Sequence, residues 1–123
     1  MNNIVIIAAF LVIAVIHLLP VVGVSGAGAL KTLYGSEIVD PSLELLMRHR
    51  AVLFGILGVF FSAAAFLPFL RMAALLAGFA SVVSFLVLAW MTGGYGGEIH
   101  RVVVADYIAL VALLVAGAAM WMS

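Results

Sequence analysis

The sequence predicts an all-α integral membrane protein, a bundle of four transmembrane helices, and three observations lead there. Hydrophobic residues make up 68% of the 123 positions and charged residues 8%, where an ordinary globular chain is roughly a quarter charged. A soluble domain of this length needs a polar coat, which five basic and five acidic side chains do not supply. The second observation is spacing. The charges fall at Lys31, Glu37, Asp40, Glu44, Arg48, Arg50, Arg71, Glu98, Arg101 and Asp106, leaving residues 1–30, 51–70, 72–97 and 107–123 uncharged. A helix of about 20 apolar residues crosses about 30 Å of hydrocarbon. The third is the lack of polar–apolar alternation at period 2; four segments, moreover, do not close a β-barrel. Spans are expected near 4–22, 48–68, 72–91 and 101–121, within a single domain covering 1–123.

The first span ends where Pro20, Gly23, Ser25, Gly26 and Gly28 break helical continuity. An apolar run followed by Ala27-Gly28-Ala29 also resembles a signal peptide with a small-residue cleavage site. Asn2 and Asn3 provide no basic leader, and the run exceeds the usual apolar length, so a retained helix is expected. Leu30, Lys31, Leu33 and Tyr34 suggest a short interfacial turn or helix.

Asp40-Pro41 reads as a helix N-cap followed by proline at the first helical position. The second helix is therefore expected to start near residue 41, ahead of its membrane section. Leu67-Pro68-Phe69-Leu70-Arg71 is short enough to make helices two and three antiparallel neighbours. Thr92-Gly93-Gly94-Tyr95-Gly96-Gly97 forms a flexible turn before the fourth helix. No fixed-period repeat is visible.

Membrane helices associate through close packing of small residues, because lipid tails are as apolar as leucine. Gly55, Gly58, Ser62 and Ala65 share one face of helix two. Ala74, Gly78, Ser81 and Phe85 share one of helix three, with Ser84 beside them. Ala105, Ala109, Ala112, Ala116 and Ala119 make a seam on helix four. These stripes are read as helix–helix contacts rather than cofactor grooves. Trp90, Tyr95 and Trp121 read as interfacial anchors, and the methionines as apolar filler.

Basic residues near the helix ends set the expected orientation. Lys31, Arg48, Arg50 and Arg101 fall on the side reached after helix one and Arg71 opposite, which favours a cytoplasmic position for the two longer loops and both termini outside. All five acids share the Arg-rich side, so a functional cluster is the competing explanation for the bias.

That cluster holds the candidate functional residues. Asp106 lies five residues beyond Arg101 and is expected about 7–8 Å deeper along the helix. His17 sits at similar depth near the end of span one. Glu44, Arg48, His49 and Arg50 occupy the same end of helix two; Glu98, His100 and Arg101 open helix four. Ionisable groups within a span usually face the protein interior and pair. The ligand-binding or structural candidates are thus His17, Glu44, Arg48, Arg50, Glu98, Arg101 and Asp106, with His17 and Asp106 as candidate catalytic residues. Plainer roles stand beside these: Glu44 and Arg48 as an acid-first i, i+4 surface pair, Asp106 as the partner of an arginine on helix two, and His17 as donor to a backbone carbonyl freed by Pro20.

Other chemistries are excluded or weakly supported. Cysteine is absent, which removes disulfides, thiolate metal sites and cysteine nucleophiles. Five bases against five acids leave no footprint for nucleic acid. No two histidines have helical metal-ligand spacing, the glycine-rich turn lacks a phosphate-loop Lys-Ser/Thr element, and no serine sits in a nucleophile elbow. Neither a cofactor nor a metal is expected.

The segment Leu43-Glu44-Leu45-Leu46-Met47-Arg48-His49-Arg50-Ala51-Val52-Leu53-Phe54-Gly55-Ile56-Leu57-Gly58 resembles a group of short, uncharacterised bacterial membrane proteins. The likeness extends to His17-Leu18-Leu19-Pro20, Leu33-Tyr34-Gly35 and Arg101-Val102-Val103-Val104-Ala105-Asp106. Members of that group often carry a phosphopantetheine adenylyltransferase label; the soluble nucleotide-binding fold and His-x-Gly-His type motif of that activity are both missing here. The layout also resembles DoxX-type four-helix proteins, in which a basic residue opens a helix followed by small residues. The resemblance implies a four-helix bundle in the bacterial cytoplasmic membrane and transfers no catalytic residue.

The leading expectation is a non-enzymatic multi-pass protein that binds a lipophilic molecule (a lipid, quinone or isoprenoid), its anionic head drawn to Arg48, Arg50 and Arg101 and its tail in the bundle interior, or serves as an accessory subunit of a membrane complex. Its partners would be the bilayer, that ligand, and a second copy or complex subunit. The alternative is a small membrane enzyme using Asp106 and His17 for acid–base chemistry on a lipophilic substrate. Transport ranks third: small exporters of this size use a membrane-embedded glutamate in helix one, and this helix has no acid.

Overall fold

A computed structural model describes residues 2–21, 26, 28, 31 and 40–122, with Glu98 described in its backbone alone. Most of the 22–39 connection, including Leu33, Tyr34 and Glu37, lies outside the described residues, and with it the turn expected there. The chain is an all-α four-helix bundle: α1 (Asn2–Leu18), α2 (Pro41–Phe66), α3 (Arg71–Thr92) and α4 (Gly97–Trp121). A short 3-10 turn, Pro68–Leu70, joins α2 to α3. All four helices are long and apolar enough to cross a membrane, the architecture of a multi-pass membrane protein.

Each boundary has a local cause. The side chain of Asp40 accepts from the backbone N–H of Ser42 at 3.2 Å, and Pro41 opens α2 at a position where its missing N–H costs nothing. At 26 residues, α2 is about 39 Å long, so it exceeds the hydrocarbon thickness of about 30 Å. Gly93 and Gly94 turn the chain between α3 and α4 at φ +62° and +66°, a backbone region that side chains with a Cβ rarely adopt.

Helix α1 lies at the centre of the contacts, against both α2 and α4, while α3 rests on α4. The α2–α3 pair is the loosest of the adjacent pairs. Phe10 and Ile13 of α1, Phe61 of α2, Val82 of α3 and Leu113 of α4 are completely buried. Small residues let the backbones approach: Ala64, Ala65, Ala74, Ala109 and Ala116 are fully buried too. A Cβ on Gly58 would stand 2.5 Å from Leu18, and one on Gly78 would stand 2.6 Å from Leu113. Outward positions carry large apolar side chains, and Trp90 and Trp121 are 84% and 91% exposed at opposite ends of the bundle. This surface suits a lipid solvent.

Arg71 anchors the far end. It is only 8% exposed. Its Nε donates to the carbonyl of Ala64 at 3.1 Å, and its Nη2 donates to the carbonyl of Ala65 at 2.8 Å and to Oδ1 of Asn3 at 2.9 Å. The Ala64 carbonyl would normally accept from the N–H four residues on, which is Pro68 and has none. One guanidinium thus closes the end of α2 and ties it to the start of α1.

Candidate functional site

The only ionisable side chain fully enclosed near the polar end, among the described residues, is His17, at 1% exposure. Two rings confine it, Phe61 edge-on at 4.8 Å and Phe54 tilted at 5.5 Å between centroids. Its Nδ1 lies 3.0 Å from the carbonyl of Ile13, and its Nε2 lies 3.1 Å from Oγ of Ser81. A carbonyl only accepts, so the proton is on Nδ1. The neutral ring then has its lone pair at Nε2, where it accepts the Ser81 hydroxyl. Ile13 stands one turn back along α1, so this carbonyl is not the one freed by Pro20, which is that of Ile16; Ser81 lies two helices on, in the small-residue stripe of α3.

Beside this bond, α2 and α3 line an open groove of about 470 Å³. Its walls are mostly apolar: Leu53, Phe54 and Leu57 from α2, Ala80, Phe85 and Leu88 from α3. The polar groups are Arg50, Ser81 and Ser84. The guanidinium carbon of Arg50 lies 4.6 Å from the centre of the Phe54 ring and 5.8 Å from that of Phe85, within cation–π range. The Ser84 hydroxyl donates to the backbone carbonyl of Ser81 at 3.0 Å.

The other sequence candidates sit elsewhere. Arg48, His49, His100 and Arg101 are exposed. Helix geometry accounts for the division: residues two apart lie about 200° apart around the axis, so Arg48 and Arg50 face opposite ways. Glu44 is half-buried and reaches back toward the α1–α2 connection, its Oε1 3.2 Å from where a Cβ of Gly26 would stand. The side chain of Glu98 lies outside the described residues. Among the described residues, no three His, Cys, Asp or Glu side chains converge as metal ligands.

The residues brought together are therefore His17, Arg50, Ser81 and Ser84, with Phe54 and Phe85 beside them, while Asp106, half-buried on α4, does not line the groove. Both nitrogens of His17 are engaged, by Ile13 and Ser81, and neither bonds Asp106. No protein-family model, curated protein or solved structure matches this chain.

Proposed function

We propose that this membrane protein binds a lipophilic small molecule in the α2–α3 groove, with the tail along Leu53, Leu57 and Leu88 and the polar head at Arg50, Ser81 and Ser84. The observation that carries this reading is the groove itself. Its volume of about 470 Å³ lies within the range of small-molecule sites, and it has the pattern of such sites: apolar walls with a few polar groups set among them. A plain lipid-facing seam would be filled by acyl chains and would need no arginine between two aromatic rings. Leu53 and Leu88 are exposed at the rim, so entry is lateral, from the bilayer.

Binding is favoured over proton-transfer catalysis by the engagement of His17. General acid–base transfer needs hydrogen-bond reach or one bridging water, and the ring's two nitrogens already hold Ile13 and Ser81. The site of action is the bacterial cytoplasmic membrane, with both termini outside. A reporter fused to the C terminus and active only outside the cytoplasm checks that orientation.

Native mass spectrometry of protein released gently from membranes tests the function. The expected result is one retained lipophilic molecule per chain, lost in Ala80→Trp, which fills the groove. Wild-type protein that carries nothing beyond loosely held bulk lipid would remove the basis of the proposal.

A further inference from the structure

Hydrogen bonds already made inside the bundle determine what the groove has left to offer. The Ser81 hydrogen is committed to Nε2 of His17, because Nδ1 is the protonated nitrogen. The Ser84 hydrogen is committed to the Ser81 carbonyl. Each hydroxyl thus presents only oxygen lone pairs toward the groove it lines. Arg50 presents only N–H donors. The polar groups of the groove are therefore mixed, with donors from α2 and acceptors from α3.

A fully ionised phosphate or carboxylate head would bring acceptors alone, leaving the serine oxygens without a donor.

Resting on the groove as a binding site, we infer that its occupant is an electrically neutral amphiphile whose head combines a hydroxyl donor with an oxygen acceptor, as an alkyl-hydroquinone does. The head oxygen accepts from Arg50 and the head hydroxyl donates to Ser81 or Ser84. The same pattern disfavours isoprenoid phosphates and anionic phospholipids.

Three probes separate these possibilities: decyl-hydroquinone, its bis(methyl ether), and decyl phosphate. Each is titrated under argon into protein in zwitterionic-lipid nanodiscs, with binding read by native mass spectrometry. The hydroquinone is expected to bind about tenfold more tightly than the ether, the effect of roughly one hydrogen bond, and more tightly than the phosphate. Ser84→Ala, at an exposed position that the core does not use, is expected to shrink the preference over the ether; Ser81→Ala should do so as well. Ala80→Trp should abolish hydroquinone binding.

Equal affinity for hydroquinone and ether overturns the inference and leaves the groove as a binding site. Tighter binding of decyl phosphate does the same, and points to an anionic head. Binding that survives Ala80→Trp overturns the inference and places the probe outside the groove. If none of the probes binds, the inference fails; the broader function fails with it only where membrane-extracted protein also retains no ligand.

Discussion

Ser81 on α3 donates its hydroxyl to Nε2 of His17 on α1 across 3.1 Å, a bond between residues 64 positions apart. It crosses the bundle directly behind the groove that Ser81 lines, so it both holds α3 to α1 and orients a groove-facing oxygen.

Ser81→Ala leaves Nε2 of a buried ring without its donor. Hydrogen bonds between membrane helices contribute about 0.6–2 kcal/mol, so a loss near 1 kcal/mol is expected. His17→Ala also opens a void between Phe54 and Phe61, for about 2–4 kcal/mol in total. Steric-trap unfolding in bicelles measures both. The double variant should cost less than the sum of the two, since each removes the same bond. Strict additivity would show that the bond adds no coupling.

Arg71 supplies three hydrogen bonds at the α2–α3 link. Arg71→Met keeps much of the apolar stem and removes every donor, stranding the Ala64 and Ala65 carbonyls. A cost of about 2–4 kcal/mol is expected, against about 1 kcal/mol for Asn3→Ala. Arg71→Lys should recover little, because one ammonium does not reproduce the fork of the guanidinium. The same unfolding assay decides it; a near-neutral Arg71→Met would remove the clamp from the energetics of the fold.

Glycines divide sharply by what surrounds them. Gly58→Ala and Gly78→Ala place a Cβ against Leu18 and Leu113 at 2.5 and 2.6 Å, and overpacking of this kind costs about 1–3 kcal/mol. Gly97→Ala meets nothing within 4 Å and is expected to be neutral or stabilising by up to about 1 kcal/mol. Gly55→Leu, 3.3 Å from Val21 already at Cβ, and Ala112→Leu should disrupt assembly. Thermal stability in detergent orders these variants, and equal stability of Gly58→Ala and Gly97→Ala would contradict the close approach of α1 and α2.

Much of this fold is legible in the sequence, since a lipid solvent leaves an unambiguous mark: long apolar runs broken by charges, Asp40-Pro41 capping α2, and glycines turning α3 into α4. The small-residue stripes also lie where their spacing put them, with Ala109 and Ala116 fully buried. The site is less legible. Linear position shows that charges share one end of a bundle, but not which way each points around its helix. Arg50 enters the groove while Arg48, two residues earlier, faces out.

Arg71 is the lone charge at the far end in the sequence, and one signal for its role stands beside it. Pro68 stands four residues after Ala64 and deprives that carbonyl of its donor, and a long-armed donor follows three residues later. Ser81 offered no such signal. Its partnership with His17 depends on how α3 is placed against α1, a relationship between helices that periodicity within one helix does not contain.

The central claim is a specific lipophile site between α2 and α3, and site mapping by photoaffinity tests it most directly. A diazirine placed in the tail of decyl-hydroquinone is activated in nanodiscs, and the labelled residues are found by peptide mass spectrometry. The expected labels fall on Leu53, Leu57 and Leu88, are competed by unlabelled probe, and vanish in Ala80→Trp. Labels spread evenly over outward residues such as Ile108 and Val111 of α4, without competition, would contradict it.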